Sequence, residues 1–139
     1  MEAKETSRNA MLHANLEVLS TRQLKALLCF QTLQMMATRR QSITYETLAI
    51  MLGLPSQGSQ LGQAISPVLY DVFNFCVEAG LPHLTVLVVR KSGRDRDVPG
   101  PGFWKVYRPN EELTLAQKVD LTEEETAKCF RLFEKLGAS

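Results

Sequence analysis

The same stop signal occurs twice in the chain, as Gly53-Leu54-Pro55 and as Gly80-Leu81-Pro82. Glycine reaches the left-handed backbone conformation that closes a helix, and a proline two residues later blocks its continuation. Each triplet follows apolar residues at helical spacing: Leu48, Ala49 and Leu52 before the first, Leu69, Val72, Phe73 and Cys76 before the second. Helices therefore end near Leu52 and Ala79.

The helix starts are equally readable. Ser20 with Gln23 forms a capping-box pattern and predicts a helix over Thr21–Thr38. Its apolar residues, Leu24, Leu27, Leu28, Phe30, Leu33, Met35 and Met36, cover more than one side, as in a central helix packed from several directions. Arg39 and Arg40 at its C-terminal end suit the macrodipole. Residues 1–8 read as a tail, and Leu12, Leu16 and Leu19 mark one stripe of a helix over residues 9–19. Ile43-Thr44-Tyr45 is β-prone, and Thr44 can cap a helix over Tyr45–Leu52. Ser56 can cap a short polar helix over residues 57–65, and Ser66-Pro67 supplies a cap and first-turn proline for the next.

Residues 84–90, Leu-Thr-Val-Leu-Val-Val-Arg, are the best strand candidate, apolar and β-branched on both faces. Residues 91–102 form a turn-rich loop through Pro99-Gly100-Pro101-Gly102. Residues 103–107 read as the returning strand, ended by Pro109. Residues 110–118 hold a further short helix. Thr122 with Glu125 then opens a last helix whose buried stripe is Cys129, Phe130, Phe133 and Leu136, closed by Gly137. The expectation is an α+β fold, mostly α. It is a winged helix-turn-helix with extra N- and C-terminal helices and a β-hairpin wing, in one domain over residues 1–139. The winged-helix core covers about residues 20–108 and a C-terminal helical extension covers residues 109–139.

Composition agrees with a single soluble domain: 139 residues, 45% hydrophobic, 22% charged, formal net charge +1. That balance excludes a disordered chain, a uniformly basic nucleic-acid coat and an acidic nucleic-acid mimic. The longest apolar run, residues 84–89, falls far short of the ~18–20 residues of a membrane span. Residues 1–9 lack the basic-then-apolar order of a signal peptide. Cys29, Cys76 and Cys129 are odd in number and widely spaced, as expected of small core residues in a reducing cytoplasm.

The motif Thr44-Tyr45-Glu46-Thr47-Leu48-Ala49, then Leu52-Gly53 and Leu61-Gly62, resembles the winged-helix DNA-binding domain of the O6-alkylguanine-DNA alkyltransferase and alkyltransferase-like family. Val88-Val89-Arg90-Lys91-Ser92-Gly93 is similar to that family's segment after its reactive site. The resemblance covers about residues 43–94 and implies a winged helix that binds DNA. The family's reactive Pro-Cys-His-Arg is replaced by Leu81-Pro82-His83-Leu84-Thr85, so alkyl transfer is not expected. The family's base-displacing arginine falls near Ser59. Residues 81–89 with Pro99-Gly100-Pro101-Gly102-Phe103 also look like a domain of bacterial and phage proteins, which implies a mobile-element or defence context.

The small net charge is an average over unlike blocks: +3 over residues 1–42, −3 over 43–85, +4 over 86–108 and −3 over 109–139. The wing segment is therefore basic, through Arg90, Lys91, Arg94, Arg96, Lys105 and Arg108, and can neutralise phosphates. Arg39 and Arg40 can add backbone contacts. The helix expected to read bases carries no Lys or Arg; its polar residues are Gln57, Ser59, Gln60 and Gln63. Glutamine can read adenine, but these residues can equally do no more than solvate a short helix. Trp104 is read as core, with stacking on a base as the alternative.

Chemistry beyond binding finds no support in the sequence. His13 and His83 have no metal-ligand partners at the right spacing, Cys76 sits at a core position, and no phosphate loop is present. The Glu123-Glu124-Glu125 triplet reads as the acidic start of a helix. No catalytic residue, metal or cofactor is expected. The leading expectation is a non-catalytic binding module contacting nucleic acid through a basic wing. The alternative is a phage or mobile-element counter-defence protein, for example an anti-CRISPR. Such a protein would bind a protein component of a nucleic-acid-processing complex. The amphipathic helices at the two ends can form a homodimer interface or cover the core of a monomer.

Overall fold

The computed structural model describes residues 20–137. The expected tail and the helix over residues 9–19 lie outside them. Helix α1 (Thr21–Thr38) starts at the predicted capping box: the Gln23 amide donates to the Ser20 hydroxyl at 3.1 Å, and the Ser20 amide donates to Gln23 Oε1 at 2.8 Å. Strand β1 (Ile43–Thr44) leads into helix α2 (Tyr45–Leu52), where the Thr44 hydroxyl accepts from the Thr47 amide. Gly53 ends α2 at φ 71°, and Gly80 ends α3 (Gly58–Ala79) at φ 69°. Both are in the left-handed region that the two Gly-Leu-Pro stops imply. A 3₁₀ turn (Leu84–Leu87), strand β2 (Val88–Val89), α4 (Pro101–Tyr107) and α5 (Leu115–Gly137) complete the described chain.

The fold is α+β and mostly helical, with a small two-stranded parallel sheet among the described residues. Ile43 lies opposite Val88 and Thr44 opposite Val89. The core lies where α1 meets α2, α3, α5 and the 3₁₀ turn. Cys29 and Leu33 of α1, Leu48 of α2, Val72 and Cys76 of α3, and Cys129 of α5 are all essentially inaccessible. The other side of α1 stays open, with Leu24, Leu27 and Leu28 each 42–53% exposed.

Four elements depart from expectation. Residues 84–90 do not form one strand: Leu84, Thr85, Val86 and Leu87 are all buried and wind into the 3₁₀ turn, packed against α1, α3 and α5. A segment buried on every side shows no alternation from which strand and tight helix can be told apart. Residues 103–107 are helical, so they form no hairpin with β2. Pro101 at the first turn of α4 presets a helical φ, and the Phe103 and Tyr107 rings stack at 4.9 Å across one turn.

The polar helix expected over residues 57–65 is continuous with the next one. α3 runs through Pro67 because Ile65, Val68, Val72, Phe73 and Cys76 hold one buried face in phase on both sides of it. Burial of that face outweighs the one backbone donor that proline removes. Ser56 is not its cap; Gln57 is, without a side-chain bond. Finally, α5 starts well before Thr122. Thr114 and Gln117 form the reciprocal capping pair, at 2.8 and 3.2 Å, while the Thr122 hydroxyl donates back to the Lys118 carbonyl in mid-helix.

Candidate functional site

A cleft of about 1050 Å³ opens where three parts of the chain converge: the start of α2, the N-terminal half of α3, and the segment running from Arg90 into α4. Local signals position each wall. The Thr44 cap orients α2, so that Tyr45 and Glu46 line one side. The left-handed turn at Gly53 returns the chain, so that Gln57, Gly58, Leu61 and Ile65 line the second. A pair of backbone bonds, Arg90 amide to Val98 carbonyl at 3.0 Å and Asp97 amide to Arg90 carbonyl at 2.8 Å, pinches off the basic loop. Tyr45 then fixes the start of α4, its hydroxyl accepting from the Gly100 amide at 2.7 Å. This bond and burial locate the phenol, and burial raises its pKa.

The floor is apolar and aromatic, with Phe73 and Phe103 buried edge to face at 6.2 Å and Tyr70 half exposed. Thr85 also lines the cleft; it is 5% exposed, and its hydroxyl has no hydrogen-bond partner among the described residues. The rim carries Arg22, Arg90, Lys91 and Lys105 against Glu46. Arg22 makes a forked pair with Asp71 at 2.7 and 2.8 Å, which raises its pKa. Arg90 lies 3.2 Å from Asp95 and Lys91 3.3 Å from Glu46. Among the described residues no carboxylate lies within ion-pairing distance of Lys105, so its charge is directed at solvent.

The structure thus gathers Gln57, Arg90, Lys91 and Lys105 around one cleft and leaves the other predicted residues apart from it. Ser59, Gln60 and Gln63 are exposed on α3 but do not line it; Arg94 and Arg96 are exposed on the loop beyond it. Arg108 lies over the Tyr107 ring at 4.3 Å and beside Glu111. Arg40 pairs with Glu134 at 2.7 Å and lies over the Phe130 ring, and Arg39 is exposed beside it at the end of α1. Sequence reasoning missed Tyr70, Phe73 and Phe103 as cleft residues: Phe73 reads as part of a buried helical stripe, Phe103 as the start of a strand, and Tyr70 carries no signal of its own. It missed Arg22 because its partner Asp71 is distant in sequence.

Trp104 is core, 6% exposed, with its indole N–H donating to the Pro99 carbonyl at 2.8 Å. Glu125 is neither exposed nor at a helix start: it is 3% exposed in mid-α5 and accepts from the His83 amide at 2.8 Å and the Tyr107 hydroxyl at 3.1 Å. The His83 ring stacks on Phe73 at 4.7 Å, and burial lowers its pKa. Burial also raises the Cys76 and Cys129 thiols and pushes Cys29 up to about 12, so all are protonated at neutral pH. Among the described residues no group of three or more His, Cys, Asp or Glu is placed to hold a metal ion, and no helix is long and apolar enough to cross a membrane. The chain matches no protein-family model, no curated protein and no solved structure.

Proposed function

We propose that this chain is a non-catalytic module that contacts nucleic acid through the cation-rimmed cleft. The observation that carries this reading is the convergence of Arg90, Lys91 and Lys105 with Gln57 on one concave surface, although they come from separate parts of the sequence. Cations gathered in this way suit a phosphate backbone, and an amide side chain among them suits a base edge. In this reading α2 and α3, joined by the turn at Gly53, form two walls of the cleft. The basic segment, folded as loop and helix, supplies the charge that a winged helix takes from its hairpin. Arg94 and Arg96, exposed and without ion-pair partners among the described residues, extend the basic surface outward.

A gel-shift series over increasing salt, with duplex and single-stranded DNA, tests this. Binding that weakens steeply with salt is expected. Absence of any salt-sensitive complex at low ionic strength would refute it.

A second reading, contact with a protein component of a nucleic-acid-processing complex, as in counter-defence, is favoured by the exposed apolar residues. Leu24, Leu27 and Leu28 share one face of α1 at 42–53% exposure, and Phe75 of α3, 49% exposed, meets Phe30 of α1 edge to face. Exposed apolar residues grouped on packed helices commonly mark a protein contact, a second copy of the chain included. A stoichiometric complex abolished by Leu27→Lys but insensitive to Lys105→Gln would favour it.

A further inference from the structure

The shape of the cleft bears on which form of nucleic acid it would fit. A duplex is read by an element that protrudes into a groove. Here the cations and the aromatic floor surround a concavity, and the exposed N-terminal half of α3 carries no base to anchor it on phosphates. A concave site with a cationic rim suits a flexible strand whose bases are free of pairing. The half-exposed Tyr70 ring is available as a stacking face, above a floor of Phe73, Phe103 and Leu61. Lys105, with no ion-pair partner among the described residues, is the cation most free to meet a phosphate.

We propose that the cleft binds single-stranded nucleic acid, with one unpaired base stacked on Tyr70 and the adjacent phosphates met by Lys105, Lys91 and Arg90. This rests on the nucleic-acid reading above and specifies the form of the ligand. The rim holds four cations, of which Arg22 pairs with Asp71, Arg90 with Asp95 and Lys91 with Glu46; the charge of Lys105 is left over, and the complementary ligand is anionic. The floor adds a place for a flat ring, which a nucleobase supplies and polyglutamate lacks.

The test is fluorescence anisotropy of the full chain with a labelled 12-nucleotide single strand, its duplex and a polyglutamate peptide. The single strand is expected to bind at least tenfold tighter than the duplex or the peptide. Tyr70→Ala should weaken it by about 5- to 150-fold with the salt dependence unchanged, and Tyr70→Trp should restore it. Lys105→Gln should reduce the slope of log K against log salt by about 0.7. Thermal melts of each variant check that the fold persists, as the exposure of both side chains implies. Duplex binding equal to or tighter than single-strand binding, or Tyr70→Ala binding at wild-type strength, would overturn this inference while leaving the nucleic-acid reading intact. Equal affinity for polyglutamate would overturn it as a mere polyanion site, and failure to bind either nucleic acid would remove both readings.

Discussion

Replacing Glu125 by glutamine should destabilise the fold out of proportion to the size of the change. The wild-type carboxylate uses one oxygen for the His83 amide at 2.8 Å and the other for the Tyr107 hydroxyl at 3.1 Å, with Lys128 3.6 Å away. At 3% exposure, water has little access to repair a loss. Glutamine can still accept from the His83 amide, but its N–H₂ turns toward Tyr107, whose hydroxyl must reverse from donor to acceptor. Two charge-assisted bonds become neutral ones, each weaker by about 1 kcal/mol, and the ion pair with Lys128 is lost. The expected cost is about 1–3 kcal/mol in all. For a domain of this size that is a fall in Tm of about 3–15 °C. Urea unfolding followed by far-ultraviolet circular dichroism measures the cost, and a cycle with Tyr107→Phe should show a coupling of about 1 kcal/mol. A change below about 0.5 kcal/mol would refute the reasoning that this carboxylate ties the His83 turn and α4 to α5.

Stability should fall as pH drops below about 6.5. Burial lowers the folded-state pKa of His83, an effect opposed by Glu125 and assisted by Lys128 and Arg108. Between that lowered value and the unfolded one, the unfolded chain binds more protons, so stability is full above the unfolded pKa and lost as pH falls through the folded one. His83→Asn should flatten this slope, read from urea midpoints between pH 5 and pH 8. Iodoacetamide should label none of Cys29, Cys76 or Cys129 without denaturant, because all are buried protonated thiols; mass spectrometry reads the result. Gly80→Ala should cost about 1–2 kcal/mol, since φ is 69° and nothing lies within 4 Å of an added methyl. Gly53→Ala should cost at least as much, because its methyl also meets Lys25 Nζ at 3.2 Å, where that ammonium donates to the Leu52 carbonyl.

Local chemistry made much of the fold legible. The Ser20 box, the Thr44 cap and the two glycine stops each depend on residues adjacent in the chain, and each lies where the sequence implies. The failures share a different cause. The 3₁₀ turn at Leu84–Leu87 is buried on all sides, so its pattern has no period to read. Residues 103–107 satisfy both an alternating and a helical pattern, and Pro101 with the Phe103–Tyr107 stack decides for the helix. At Thr122 and Glu125 a capping-box pattern occurs inside a helix, where the glutamate serves tertiary bonds to His83 and Tyr107 instead. The basic segment was visible as charge. That Lys105 would share a cleft with Gln57 was not, because their proximity depends on the turn at Gly53 and the Tyr45–Gly100 bond.

Amide chemical shifts of the isotopically labelled chain, recorded as an oligonucleotide is added at low salt, test the central claim most directly. The account predicts perturbations clustered at Gln57, Gly58, Leu61 and Gly62, at Arg90–Ser92 and at Lys105, which line the cleft, and their loss at high salt. Perturbations confined to the Arg39–Arg40 end of α1 and to α5, or none at all, would contradict it.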